Sequence, residues 1–143
     1  MRYPPFLEVD FEFPPFWHVR LPAAAPRIDA IAAAVAETVD RALADSPIRA
    51  GDAVAVAVGS RGLANLPELV RVLCQRLQQA GARPYLVPAM GSHGGATAEG
   101  QAALLARLGV SEASCGVPVR AAMAADPVAE VFEGVPVYLA RDI

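Results

Sequence analysis

Leu7, Val9, Phe11 and Phe13 alternate with Glu8, Asp10 and Glu12, the period of two that marks a half-exposed strand. Pro14 and Pro15 close it. Phe16-Trp17-His18-Val19 reads either as a second short strand or as an arm packed on the core, and Pro22 to Pro26 as a connector. From Arg27 to Ala44 the apolar residues Ile28, Ile31, Val35, Val39 and Leu43 recur at three and four positions, which predicts an amphipathic helix stopped by Ser46-Pro47. The uninterrupted apolar run Ala53 to Val58, bounded by Gly51-Asp52 and Gly59, predicts a strand covered on both faces in a parallel sheet. Asn65 heads the next helix, with Pro67 in its first turn, Glu68 at the capping-box position, a stripe of Leu66, Leu69, Val70, Leu73 and Leu77, and Gly81 at its end. Tyr85-Leu86-Val87 follows as another apolar strand. After a glycine-rich loop, Thr97 caps a third helix through Leu104, Leu105 and Leu108, closed by Gly109.

The tail changes character. β-prone pieces at Val117 to Arg120, Val128 to Phe132 and Val135 to Leu139 predict extended structure, the last two joined as a hairpin around Glu133-Gly134. Strand, helix and strand between Asp52 and Pro88 form a βαβ unit. The expected fold is therefore α/β: a Rossmann-like, mainly parallel sheet with flanking helices, an N-terminal strand and a C-terminal β-hairpin. No covering helix follows the last strand, so residues 1–143 are expected to be one partial domain, the front part of a longer α/β protein.

Composition narrows the classes. With 55% hydrophobic residues in 143, a single buried core is attainable without disulfides or metals. The net charge of −3 argues against a nucleic-acid partner, which needs a basic face. No apolar run approaches the roughly 20 residues of a membrane span. Every positive side chain is an arginine and there is no lysine, which excludes lysine Schiff bases and lysine-tethered cofactors. Cys74 and Cys115 have no C-x-x-C spacing and no secretory leader pattern precedes them, so a reduced, cytoplasmic chain is expected. Cys74 reads as a small buried thiol, and neither cysteine is given a role.

Two loops leave the C-terminal ends of the two parallel strands: Gly59-Ser60-Arg61-Gly62, and Met90-Gly91-Ser92-His93-Gly94-Gly95-Ala96-Thr97. In open α/β sheets the ligand crevice lies outside those ends, so Arg61 and His93 should face one cleft. The glycines let backbone N–H groups approach an anion, and the helix beginning near Thr97 turns its positive N-terminus toward the same place. Ser60 and Arg61 are thus candidate substrate-binding residues, His93 a candidate acid or base, and Gly91, Ser92, Gly94, Gly95 and Thr97 candidate cofactor or anion contacts. The plainer alternatives are a solvated Arg61 and a loop-bracing His93; His18, in its aromatic and proline-rich arm, reads as a packing or surface residue. Ser92 beside His93 is no nucleophile–base pair, because adjacent side chains do not face each other, and neither loop reads G-x-S-x-G. The two histidines alone cannot close a metal site.

The string Val87 to Gln101, with Gly59-Ser60-Arg61-Gly62 and the helix from Asn65, resembles the N-terminal domain of the nickel-dependent lactate racemase family, and more closely an uncharacterised branch of these 2-hydroxyacid racemases and epimerases. The resemblance runs from about Asp52 to the end, is strongest over Val87 to Gln101 and is weak before Ile28. It implies an enzyme that uses a nickel-pincer nucleotide to take a hydride from the α-carbon of a small 2-hydroxyacid and return it to either face. Two histidines alternate as base and acid on the hydroxyl, and an arginine holds the carboxylate.

His93 matches the first of those histidines and Arg61 that arginine. Better-known members carry an Asp shortly before the arginine and an Arg directly after the histidine, where this chain has Val58 and Gly94, so lactate itself is not carried over as substrate. The family's second catalytic histidine, nickel-ligating histidine and cofactor-bearing lysine lie beyond Ile143. The chain alone is therefore expected to be inactive, either as a truncated copy or as one half of a site completed by a C-terminal partner chain or missing C-terminal domain. The alternative expectation is a non-catalytic anion- or nucleotide-binding module that keeps the loops without the chemistry.

Overall fold

The computed structural model describes residues 14–21, 26–141 and 143. Its element order is α1 (Ile31–Ala44), β1 (Ala53–Val58), α2 (Leu66–Gln79), β2 (Arg83–Pro88), a 3₁₀ turn (His93–Ala96), α3 (Ala98–Arg107), α4 (Glu112–Cys115), β3 (Ala125–Val131) and β4 (Val135–Ala140). The α/β class is as expected. β1 and β2 pair in parallel from Ala53↔Arg83 to Val58↔Pro88, with α2 as the crossover. A parallel bridge joins Leu86 to Val119. There Leu86 N–H donates to the Pro118 carbonyl and Arg120 N–H to the Leu86 carbonyl, both at 2.8 Å. The predicted extended piece Val117 to Arg120 thus flanks β2 opposite β1. β3 and β4 make the predicted antiparallel hairpin, turning through Phe132, Glu133 and Gly134, all at positive φ.

One core forms where the helices meet the sheet. Val56 and Val58 of β1, Leu86 of β2, Val70, Cys74 and Leu77 of α2, Leu105 of α3 and Cys115 of α4 pack together, and Leu86, Leu105 and Val110 are fully buried. Nothing polar is stranded inside: among the described residues, no buried side-chain nitrogen or oxygen lacks a hydrogen-bond partner.

Several local expectations are corrected. The predicted strand from Leu7 to Phe13 and most of the Pro22 to Pro26 connector lie outside the described residues. Phe16 to Val19 is neither strand nor packed arm; Phe16 and Trp17 are exposed. α1 begins at Ile31 rather than Arg27, with Ala30 at its N-cap making no side-chain cap, and Ile28 is left exposed. Asn65 does head α2, but its φ of 61° is left-handed and it makes no side-chain cap, so the expected capping box with Glu68 does not form. β1 is less covered than its uniform apolar run implies. Its valines turn inward, while Ala53 and Ala57 are exposed, since alternate strand residues point to opposite faces and β1 pairs on one edge with β2.

α4 was not predicted. Ser111 and Ser114 cap it reciprocally and Gly116 ends it at φ 69°, a serine pair three apart that a search for Glu or Gln at the third position passes over. Among the described residues no helix is long and apolar enough to cross a membrane.

Candidate functional site

The parallel register that ends at Val58↔Pro88 starts both loops side by side. Ala89 N–H donates to the Val58 carbonyl at 2.9 Å, one further rung that aligns Gly59 with Ala89. Beyond it the second loop folds back, with His93 N–H on the Met90 carbonyl at 3.3 Å and Ala96 N–H on the Ser92 carbonyl at 3.1 Å. That reversal returns the imidazole toward the first loop, and Ser60 Oγ lies 2.6 Å from His93 Nδ1. A cleft of about 420 Å³ opens here, lined by Gly59, Ser60, Arg61, Ala89, Met90, Gly91 and His93. Met90 is buried and supplies an apolar floor, while Arg61 and His93 are exposed and Ser60 half-buried at the rim.

The two residues that strand-end reasoning assigned to one cleft therefore share it. Arg61 makes no ion pair or side-chain hydrogen bond among the described residues, which leaves its five donors to an incoming anion. Among the described residues no acidic side chain lines the cleft, so none of them competes with an anion for the arginine.

The glycine loop divides into two parts. Gly91 belongs to the lining. Gly94, Gly95 and Thr97 lie outside it, and the bonds of Gly94 and Thr97 are structural. Thr97 Oγ1 accepts from Gly100 N–H at 3.0 Å and donates to the Gly94 carbonyl at 3.3 Å, so the predicted cap on α3 is formed and one N-terminal N–H is consumed by it. Gly94 has φ +66°, and a Cβ there would stand 2.5 Å from the Gly100 backbone; glycine is required for packing as well as for conformation. Ser92 contributes its carbonyl to the loop's own hydrogen bonding and is not part of the lining.

Sequence reasoning passed over Gln101. It is a buried polar side chain whose Nε2 donates to the Gly91 carbonyl at 2.8 Å, pinning the loop to α3 and with it the approach of His93. Its signal was a polar residue at an inward position of an apolar helix. His18 is exposed in the N-terminal arm and does not line the cleft.

No family model matches the chain, and no curated protein or solved structure matches it either. The site is therefore read from its geometry. A guanidinium with no ion pair among the described residues, a hydroxyl and an imidazole held by that hydroxyl converge over an apolar floor. Such a set can bind a small carboxylate or phosphate and exchange a proton with a group beside it.

Proposed function

We propose that this chain supplies the carboxylate-binding arginine and one acid/base histidine of a racemase or epimerase acting on a small 2-hydroxyacid. The observation that carries the reading is the meeting of the two loops, with Ser60 bonded to His93 and Arg61 next along the chain in the same cleft. A 2-hydroxyacid presents a carboxylate and a hydroxyl on adjacent carbons. Arg61 suits the first by two parallel charge-assisted bonds, and His93 suits the second as the group that removes or returns the hydroxyl proton. Met90 gives the cleft an apolar surface against which a ligand's side chain can rest.

The nickel-pincer nucleotide implied by the family resemblance does not fit the residues present. The chain has no lysine to carry it, and among the described residues no three His, Cys, Asp or Glu side chains are grouped to hold a metal. Its binding groups, and the second histidine, would come from a C-terminal segment or partner chain, so no step is assigned to it here. A second reading, a non-catalytic anion- or nucleotide-binding module, needs only Arg61 and the loop backbone in the same cleft. We also place the protein in a reducing compartment, the cytoplasm, in keeping with two free, buried thiols.

Calorimetric titration separates the readings. The chain is titrated with glycolate, with each lactate enantiomer and with inorganic phosphate, and each titration is repeated on Arg61→Ala. The racemase reading expects saturable hydroxyacid binding that Arg61→Ala weakens at least tenfold. Phosphate binding without hydroxyacid binding would establish the module instead, and hydroxyacid binding unchanged in Arg61→Ala would overturn the assignment of the arginine.

A further inference from the structure

We propose that Ser60 is a positioning residue that holds His93 in the tautomer protonated at Nδ1, leaving Nε2 as the atom that takes up and releases a proton. The inference rests on the acid/base reading of His93 above. The contact that carries it crosses between loops 33 residues apart in sequence, Ser60 Oγ to His93 Nδ1 at 2.6 Å. The first loop leaves a strand end registered by the rung from Ala89 to Val58, and the second is tied to α3 by Gln101 on Gly91.

A serine hydroxyl can meet Nδ1 in two ways. If it donates, Nδ1 carries the lone pair, Nε2 carries the hydrogen, and the neutral ring offers its ligand a donor but no base. If it accepts, Nδ1–H points at Oγ and Nε2 is bare in the neutral ring and protonated in the imidazolium. The second arrangement keeps the same Nδ1–H to Oγ bond in both protonation states, so the ring need not turn over between acting as base and acting as acid. It also leaves the Ser60 hydroxyl proton available to an anion beside Arg61, joining the residue's contact with the ligand to its hold on the histidine. Without Ser60 the exposed imidazole would rotate about its side-chain bonds and populate both tautomers.

Nitrogen NMR of the full chain tests this without substrate. Ring-labelled histidine is introduced into His18→Gln, which removes the chain's other histidine. Long-range proton–nitrogen spectra are then recorded at about pH 9, well above the ordinary imidazole pKa of about 6.5. The expected spectrum shows Nδ1 protonated and Nε2 bare. Ser60→Ala should collapse this to a mixture of tautomers and Ser60→Thr should restore it, each with an unchanged backbone amide spectrum away from the loops. An Nε2–H tautomer in the parent chain, or a Ser60→Ala spectrum identical to the parent's, would overturn the proposal. The hydroxyacid titration reports separately: a chain showing the Nδ1–H form but binding no hydroxyacid keeps this positioning role and loses the racemase reading.

Discussion

His93 is an exposed side chain made specific by one bond and one neighbour. Its 2.6 Å contact with Ser60 fixes the ring, and Arg61 on the same cleft wall defines where a carboxylate would sit relative to it. Under the proposed racemase reading, His93→Ala should lower turnover by ~10²–10⁴-fold in a completed assembly, the usual contribution of a general acid–base group. The KM for the hydroxyacid should stay nearly constant, because the carboxylate contact survives. Arg61→Ala should do the reverse, raising KM more than it lowers kcat. Steady-state kinetics in both racemisation directions checks the split, and unchanged turnover in His93→Ala would remove the histidine from the mechanism. Arg61 and His93 were legible in the sequence because each sits among glycines at the end of an apolar strand, and strand ends have a known meaning in a parallel sheet. Ser60 as the partner of His93 was not legible. That contact depends on how far the second loop folds back, which the bonds from His93 to Met90 and from Ala96 to Ser92 decide. Gln101 escaped for the same reason, its use being visible only once the Gly91 carbonyl is placed above α3.

The cleft loop is held by the first turn of α3, so the loop should respond to changes at that turn. Thr97→Ala removes the acceptor for Gly100 N–H and should cost about 1 kcal/mol, as N-cap losses do. Gly94→Ala should cost more, since the new methyl meets the Gly100 backbone while φ stays at +66°, a left-handed conformation that costs a non-glycine residue about 1–2 kcal/mol before any clash is counted. Urea denaturation checks the order of the two, and equal losses would place Gly94 in looser surroundings than the structure shows. Thr97 was readable as a cap because threonine before a helical stripe accepts bonds in any fold; the helix start at Asn65 was readable too, but its left-handed φ is set by the loop that delivers it and defeated the capping-box prediction. The hairpin is a separate element with a separate lever. Arg141 bonds Asp126 across it at 2.7 and 3.0 Å, and that bond holds the Asp126 carboxyl below its ordinary range. A carboxyl depressed in the folded state contributes stability above its unfolded pKa and loses it as pH falls through the folded one. Acidification should therefore loosen the β3–β4 pairing in the wild type, and Asp126→Asn should abolish that acid dependence. Carboxyl and amide NMR shifts of the hairpin against pH would read both effects.

For the whole molecule, the core concentrates where β1, β2 and the helices α2, α3 and α4 meet, and Cys74 lies fully buried at that junction. Burial, reinforced by neighbouring Cys115, pushes the Cys74 thiol up to about 11, because the thiolate would lose its solvation there. A thiol raised in the folded state contributes stability that is complete below its unfolded pKa and is lost as pH rises through the folded one. The window runs from the ordinary thiol range to about 11. A shift of this size corresponds to a loss on the order of 2–3 kcal/mol. The helices and sheet that meet at Cys74 share one cluster, so the loss should appear as a drop in global stability and not as local fraying. Thermal melts of the wild type and of Cys74→Ala at about pH 8 and about pH 10.5, on either side of the ordinary thiol pKa of about 8.5, separate this effect from the titration of tyrosines. The wild type should lose more stability than the variant between the two pH values, and at the lower pH the thiol should resist alkylation until the chain unfolds. If both proteins lose the same amount, Cys74 is not ionising on unfolding, and the junction would have to be open enough to solvate a thiolate in the native state.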